Sequence, residues 1–223
     1  LVLASGRFAR GWGEMAGFMG ADVEVIAGSW HAAVDPAAVE ARLRLDADHS
    51  IKAILMVQID TASGAFNDVH AVRRAIDAAG HPALFMIDGV ASLACMPFEM
   101  DAWGVDVAMS ASQKGLMSSP GLGFVAANDK AIQAHKTANM RTAYWDWTSR
   151  NSPLHYMKHC GTPPEHLMFG LRAALDMIFE EGLESVWHRH ALLAGATHAA
   201  IARWAEGQVL SFNIEDAKER AVS

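Results

Sequence analysis

Two residues draw attention by their chemistry and their placing. Asp88 closes the apolar run Leu84-Phe85-Met86-Ile87. Lys114 follows a second apolar stretch, Val105 to Ala111, interrupted by Asp106, and it precedes the small-residue loop Ser118-Ser119-Pro120-Gly121. Both runs read as buried strands. Each charged residue then sits just past a strand end, where open α/β sheets keep their ligands. An acid closing an apolar strand is costly without a partner, and a cation on a ligand would relieve that cost. A lysine beside small residues can bring its backbone close to a ligand. Such a pair fits pyridoxal phosphate chemistry. The amine binds the cofactor and moves a proton between Cα and C4′. The carboxylate keeps the pyridine nitrogen protonated, so that the ring acts as an electron sink. An aromatic ring for stacking and hydroxyls, amides and backbone N–H groups for the phosphate complete the requirement. Taken singly, Lys114 also reads as a solvated loop lysine and Asp88 as a strand-end acid capping a turn.

The elements that position these residues alternate. Val2-Leu3-Ala4 reads as a strand, followed by a helix to about Phe18 and a short strand over Asp22 to Ile26. Asp35-Pro36 opens a helix, Asp as N-cap and Pro at the first helical position. Ile51 to Val57 is a buried strand, and Asp60-Thr61-Ala62-Ser63-Gly64 a turn-rich loop after it. Asn67 or Asp68 caps a helix with Val69, Val72 and Ile76 at helical spacing, which Gly80-His81-Pro82 ends. Phe124 to Ala127 is followed by a helix from about Asp129 to Asn139, and Arg141 to Pro164 is irregular. Glu165 to about Glu181 is strongly helical, with Gly182 at its C-terminal stop and another helix over about Glu184 to Ala205. Strands alternating with helices imply βαβ units and a mostly parallel sheet flanked by helices.

Composition narrows the classes. The 223 residues are 52% hydrophobic and 19% charged, with a net charge of -7. This is globular composition without a basic nucleic-acid footprint. No apolar run reaches the ~20 residues of a membrane helix, so neither nucleic acid nor membrane is an expected partner. Two cysteines, Cys95 and Cys160, give no disulfide framework, and a cytoplasmic location is expected. Leu1 to Ala4 reads as a strand already under way and Ala221-Val222-Ser223 ends abruptly, so the expectation is an internal piece of a longer protein.

MIDGVASL followed by GVDVAMSASQKGLMSSPGLGFV resembles the cofactor-lysine region of the class V, fold-type-I aminotransferases. The serine–glyoxylate and alanine–glyoxylate group is the most similar. The shared pattern is an apolar strand ending D-x-V-x-S, then G-(I/V)-D, S-Q-K and a Pro-Gly loop, and the resemblance runs over almost the whole chain. It implies the fold-type-I α/β architecture: residues 1–182 as the cofactor-binding large domain, lacking its N-terminal part, and 183–223 as the start of a smaller C-terminal α+β domain. It implies pyridoxal 5′-phosphate as cofactor, with Lys114 holding it covalently, Asp88 pairing with the pyridine nitrogen and Gln113 binding phosphate. The loop from Asp60 to Gly64 resembles E-(S/T)-S-T-G, which makes Thr61 the partner of the pyridoxal O3′ oxygen. Ala4 to Phe8 resembles N-G-x-(W/F), so Phe8 would stack on the ring. Gly161 to Pro164 resembles Y-T-P-P, with Thr162 reaching the phosphate of a neighbouring subunit, which implies a homodimer with a shared site. His159 stands where the family often has a phosphate-binding tyrosine, and Ala62 replaces a hydroxyl residue. The family's early Ser-Gly-Thr phosphate loop and its substrate-carboxylate arginine are expected outside residues 1–223.

The activity implied is transfer of an amino group from serine, alanine or aspartate to glyoxylate or another small 2-oxo acid. Alternatives are a lyase or desulfurase of the same class, or a cofactor-binding homologue without activity. Family desulfurases usually carry His before the lysine and His on the ring, where this chain has Gln113 and Phe8. A dinucleotide-binding domain would need G-x-G-x-x-G opening a helix, whereas Gly121-Leu122-Gly123 leads into a strand. No metal is expected: His188 and His190 do not share a helix face, and His155, His159 and Cys160 lack a second ligand pair. Asp106 reads as a structural acid. Trp145 and Trp147 read as packing residues, Arg141 and Arg150 as surface or interface charges, and the methionines as core filling.

Overall fold

The computed structural model describes residues 1–223. In chain order the elements are β1 (Val2–Ala4), α1 (Arg7–Phe18), β2 (Val25–Ala27), α2 (Pro36–Arg44), β3 (Ala53–Val57), β4 (Ile59–Asp60), β5 (Ala65–Phe66), α3 (Val69–Ala78), β6 (Leu84–Asp88), β7 (Val107–Ala111), β8 (Gly123–Ala127), α4 (Asp129–Lys136), α5 (Trp147–Arg150), α6 (His155–Lys158), α7 (Glu165–Glu181) and α8 (Leu183–Ala205). Six strands form one sheet in the order β2-β1-β3-β6-β7-β8. All neighbours run parallel except β7 and β8, which are antiparallel. The alternating strand–helix pattern therefore gives the mostly parallel sheet expected from it.

The core lies where α2 and α3 cover the middle strands. Val39 and Leu43 of α2, Val69, Val72 and Ile76 of α3, and Leu3, Ile54, Met56, Phe85 and Ile87 of the strands form one buried cluster. Each fully buried side chain of this kind contributes about 1.5–3 kcal/mol relative to exposure. Side chains alternate across a strand. In β6, Phe85 and Ile87 are buried while Leu84, Met86 and Asp88 are only partly so. Asp88 thus sits on the less covered face, at the strand's C-terminal end.

Strand starts differ from the apolar runs, and buried acids explain why. Ile51 belongs to the run that ends at Val57, but its N–H donates to Asp46 Oδ2 at 2.8 Å, and Ser50 donates to Asp46 Oδ1. Asp46 also meets His81 Nε2 at 3.0 Å. The Ser50 hydroxyl and the Ile51 amide lead in holding the Asp46 carboxyl well below its ordinary range. The amides of Ser50 and Ile51 are thereby taken before the sheet begins. In the same way, Asp106 is bound to the Phe85 amide, Asn128 Nδ2 and Lys130 Nζ. It ties β6 to the start of α4, the structural role expected of it, and β7 begins just after it.

The expected strand over Asp22 to Ile26 begins later, at Val25, because its register follows β1, with Val2 opposite Val25. Glu24 is meanwhile gripped by Arg42 at 2.5 and 2.6 Å. Asp68 caps α3 and Asn128 caps α4, each accepting from the third helical N–H. Helix α4 stops at Lys136, short of Asn139. The irregular stretch 141–164 contains the two single-turn helices α5 and α6. Gly182, with φ 85°, breaks α7 from α8.

After α8 the chain returns to the segment between β4 and β5. Asn213 Nδ2 donates to Ser63 O and Trp30 O, Ala221 N donates to Gly64 O, and Ile214 is buried. The end of the chain is therefore packed on the loop that carries Thr61. No helix is long and apolar enough to cross a membrane.

Candidate active site

The candidate residues converge at the C-terminal edge of the sheet. Strand order reverses at β1, which has β2 on one side and β3 on the other. Such a switch point leaves a crevice beyond the strand ends. Phe8 follows β1, Thr61 follows β4 just beyond β3, Asp88 ends β6, and Gln113 and Lys114 follow β7. Register aligns the edge, with Val57, Asp88 and Met109 in one row across β3, β6 and β7.

Buried polar groups form the floor beneath them. Gln58 N donates to Asp88 O at 2.9 Å, and Ser92 Oγ donates to Gln58 Oε1 at 2.5 Å. Asn67 Nδ2 donates to Ser5 Oγ at 2.8 Å and to Val57 O at 2.7 Å. Asp60, fully buried, accepts from Phe8 N and Ala9 N through Oδ2 and from Ala62 N through Oδ1, each at 3.0 Å. A satisfied network of this kind is rigid, because breaking any member strands a buried polar partner. Ser5, Gln58, Asn67 and Ser92 were not among the site residues expected from sequence, and Asn67 was considered only as a helix cap. Their partners lie up to 62 positions away, and no local pattern marks them.

Above this floor the candidate groups make few contacts with the protein. The Asp88 carboxylate accepts one hydrogen bond, from Val90 N at 2.8 Å. Burial pushes its carboxyl above the ordinary range. The Val90 amide opposes that rise, the charge of Asp60 adds to it, and the charge of Lys114 opposes it. Lys114 is exposed, and its ammonium makes neither a hydrogen bond nor an ion pair with the chain. Phe8 is 51% exposed, and Thr61 and Gln113 are exposed too.

The lysine loop itself is firmly held. Ser112 Oγ donates to Ser119 O at 2.6 Å and accepts from Leu122 N, while Ser118 N donates to Ser112 O. Gly115 packs against the 92–95 turn so closely that a Cβ there would lie 2.2 Å from Leu93 O and 2.7 Å from Cys95 Sγ. Burial pushes the Cys95 thiol up, and its sulfur lies against Gly115. Gly115→Ala is expected to destabilise the protein by about 1–3 kcal/mol through overpacking. Gly123→Ala, whose Cβ meets nothing within 4 Å, is expected to have little effect. Denaturant unfolding of the two variants checks this.

Thr162 is not brought to this edge. It lines a cleft of about 880 Å³ with His155, Tyr156, His159, Phe169 and Arg172. His159 also borders a second cleft, about 610 Å³, walled by Tyr144, Trp145 and Trp147. Arg141 and Arg150 donate to the carbonyls of His135 and Ala143 and so brace this segment.

The residues present fit pyridoxal phosphate. A half-buried carboxylate with one neutral partner suits a ring cation, an unpaired amine stands at the neighbouring strand end, and an exposed phenyl ring faces solvent nearby. The sequence itself matches the aminotransferase class-V family model over residues 7–223. The chain belongs to the class-V aminotransferases. It is 44% identical over 212 residues to serine–glyoxylate aminotransferase of Methylorubrum extorquens, covering 91% of this chain and 52% of that protein. It is 39% identical over 204 residues to L-aspartate–glyoxylate aminotransferase of Paracoccus denitrificans, covering 92% and 52%. The crystal structure of pyridoxamine–pyruvate aminotransferase from Mesorhizobium loti superposes with a TM-score of 0.83 at 27% identity, covering all of this chain and 55% of that one. The class-V chain thus spans about half the length of the relatives it matches. Pyridoxal phosphate is the cofactor expected of this family.

Proposed function

We propose that this class-V chain carries the cofactor half of a transaminase that moves the amino group of a small amino acid to glyoxylate or another small 2-oxo acid. The observation that carries the reading is the pairing at the sheet edge: a half-buried Asp88 carboxylate without a cationic contact beside the free amine of Lys114. The serine and aspartate donors in the names of two relatives, both with glyoxylate, support the substrate class.

Pyridoxal phosphate, when bound, supplies a conjugated ring that accepts the electron pair left as a proton leaves the donor's Cα. The chain's own residues account for the rest. Asp88 holds a proton on the ring nitrogen through a charge-assisted hydrogen bond, the strong kind. Lys114 Nζ, exposed and unencumbered, takes and returns the proton. A general base gains by having no competing partner, since it must reach its proton directly. Phe8 offers an apolar face for stacking, Thr61 a hydroxyl toward the ring oxygen, and Gln113 a side-chain amide toward the phosphate. Thr162 lies in a cleft apart from this edge. A second copy of the chain, presenting its own Thr162, would complete the phosphate site, so the active form in this reading is a homodimer.

The test is spectroscopic. The purified protein loaded with pyridoxal phosphate should show a visible absorption band. L-serine, L-alanine or L-aspartate should bleach that band, and glyoxylate should restore it. No band after reconstitution overturns the cofactor assignment, whereas a band that none of the three donors bleaches overturns the reaction.

A further inference from the structure

We infer that Asp60 is a positioning residue that locks the ring-stacking side chain and the ring-oxygen hydroxyl of the site to one another. The inference rests on the cofactor reading for Phe8 and Thr61. Its geometry stands independently of that reading.

Asp60 has no exposed surface. Its partners are three backbone amides. Oδ2 is shared by Phe8 N and Ala9 N at the start of α1, where N–H groups are left unpaired by the helix itself. No side chain of the residue preceding α1 fills that role, because Gly6 has none. Oδ1 takes Ala62 N, in the turn that carries Thr61. One side chain therefore caps a helix from a distance of 52 positions and closes its own loop with the other oxygen. Capping by a carboxylate at a helix start is favoured by the positive end of the helix.

Packing makes this arrangement exclusive. A Cβ on Gly6 would lie 2.4 Å from both Asp60 Cγ and Oδ1, so the carboxylate occupies the space that a side chain at position 6 would fill. Asn67 secures the same two segments from below, through Ser5 Oγ and Val57 O. The far side of the Thr61 loop is held by Asn213 and Ala221. With its flanks fixed, the loop and the start of α1 can shift relative to each other only if Asp60 lets go. Phe8 and Thr61 are both exposed and make no side-chain hydrogen bonds of their own. Their separation is set by the backbone that Asp60 holds.

Asp60→Asn is nearly isosteric but turns one acceptor oxygen into a donor. It must then lose either the Ala62 bond or the Phe8–Ala9 pair. The experiment measures pyridoxal phosphate affinity by fluorescence titration in the purified protein for Phe8→Ala, Thr61→Ala and Asp60→Asn, and for Asp60→Asn combined with each of the first two. Amide hydrogen exchange at Phe8, Ala9 and Ala62 is followed without cofactor. Asp60→Asn is expected to weaken affinity about 10- to 100-fold. In its background, the penalties of Phe8→Ala and Thr61→Ala should each shrink at least threefold, since the lost geometry is common to all. Exchange at amides on both sides should quicken together.

A merely structural Asp60 would lower stability while leaving both penalties at their wild-type size, and that result overturns the inference. Quickened exchange on one side alone overturns it as well. A wild type that binds no pyridoxal phosphate would instead remove the cofactor reading, and the exchange pattern would then decide the coupling by itself.

Discussion

Lys114→Ala is expected to lower turnover by at least about 10³-fold while leaving stability within about 0.5 kcal/mol of wild type. The two halves of this result have separate causes. The lysine side chain is exposed and its ammonium touches no partner in the chain, so its removal breaks no contact. The loop is fixed instead by Ser112 and by the close packing of Gly115 on Leu93 and Cys95, neither of which involves the amine. Lys130 is the informative contrast. It donates to Asp106 Oδ2 at 3.0 Å and to Ala83 O at 2.9 Å, beside an aspartate that is almost fully buried. Lys130→Ala is expected to cost stability and to preserve activity per folded molecule. Steady-state kinetics with thermal unfolding of both variants separates a reactive lysine from a structural one. Retention of more than a tenth of wild-type turnover in Lys114→Ala would remove the lysine from the chemistry.

The contrast between these lysines also shows what could be read from sequence. Lys114 follows an apolar run and precedes a Ser/Pro/Gly loop, and that local pattern was enough to single it out. Asp106 was read as structural, and its three partners on β6, the start of α4 and the residue capping it bear that out. Length and the Gly182 stop gave α7 its limits, Glu165 and Glu181. Short strands were less legible. Asp22 to Ile26 alternates well, but its pairing is dictated by β1, and register is a property of two strands rather than one. The run from Ile51 begins before β3 does because Asp46 captures the first amides, a contact that hydropathy does not report.

The candidate residues could be picked out from the sequence, whereas the buried groups that brace them could not. Phe8, Thr61, Gln113 and Lys114 follow strand ends and Asp88 closes one, all at the same edge of the sheet. Asn67 was considered only as a helix cap. It serves instead as a brace between Ser5 and Val57, while Asp68 does the capping. Asp60 was noted as the first residue of a loop, and nothing local says that its carboxylate reaches the start of α1. Side chains whose partners lie fifty or more positions away belong to the tertiary fold. The return of residues 213–221 to the Thr61 loop was equally beyond reach, since the expected division at 182 carried the later residues away from the sheet.

Asp88→Asn is expected to have opposite effects on stability and on function. Burial raises the Asp88 carboxyl from its ordinary value of 3.8. In the pH window just above 3.8 the folded chain therefore holds a proton at this position that the unfolded chain has released. Stability falls as pH rises through that window, and above it the full penalty persists. Asparagine does not titrate and can still accept from Val90 N through its carbonyl oxygen. Without cofactor, Asp88→Asn should match wild type near pH 4 and exceed it at pH 7. The gain should appear as a higher Tm of the variant at pH 7 that vanishes as the pH is lowered. A ring cation reverses the balance, because the carboxylate that was poorly solvated acquires an opposite charge. Pyridoxal phosphate should therefore raise the Tm of wild type well above that of the variant, since tighter binding to the folded state gives greater stabilisation. Turnover of the variant should fall by about 10²–10³-fold, comparable to the loss of one preorganised electrostatic contact. Thermal unfolding at pH 4 and pH 7, with and without pyridoxal phosphate, yields the whole pattern. A variant less stable than wild type at pH 7 without cofactor would mean that Asp88 is held by the fold for structural reasons. A variant more stable there but equally stabilised by cofactor would mean that the carboxylate does not face the ring.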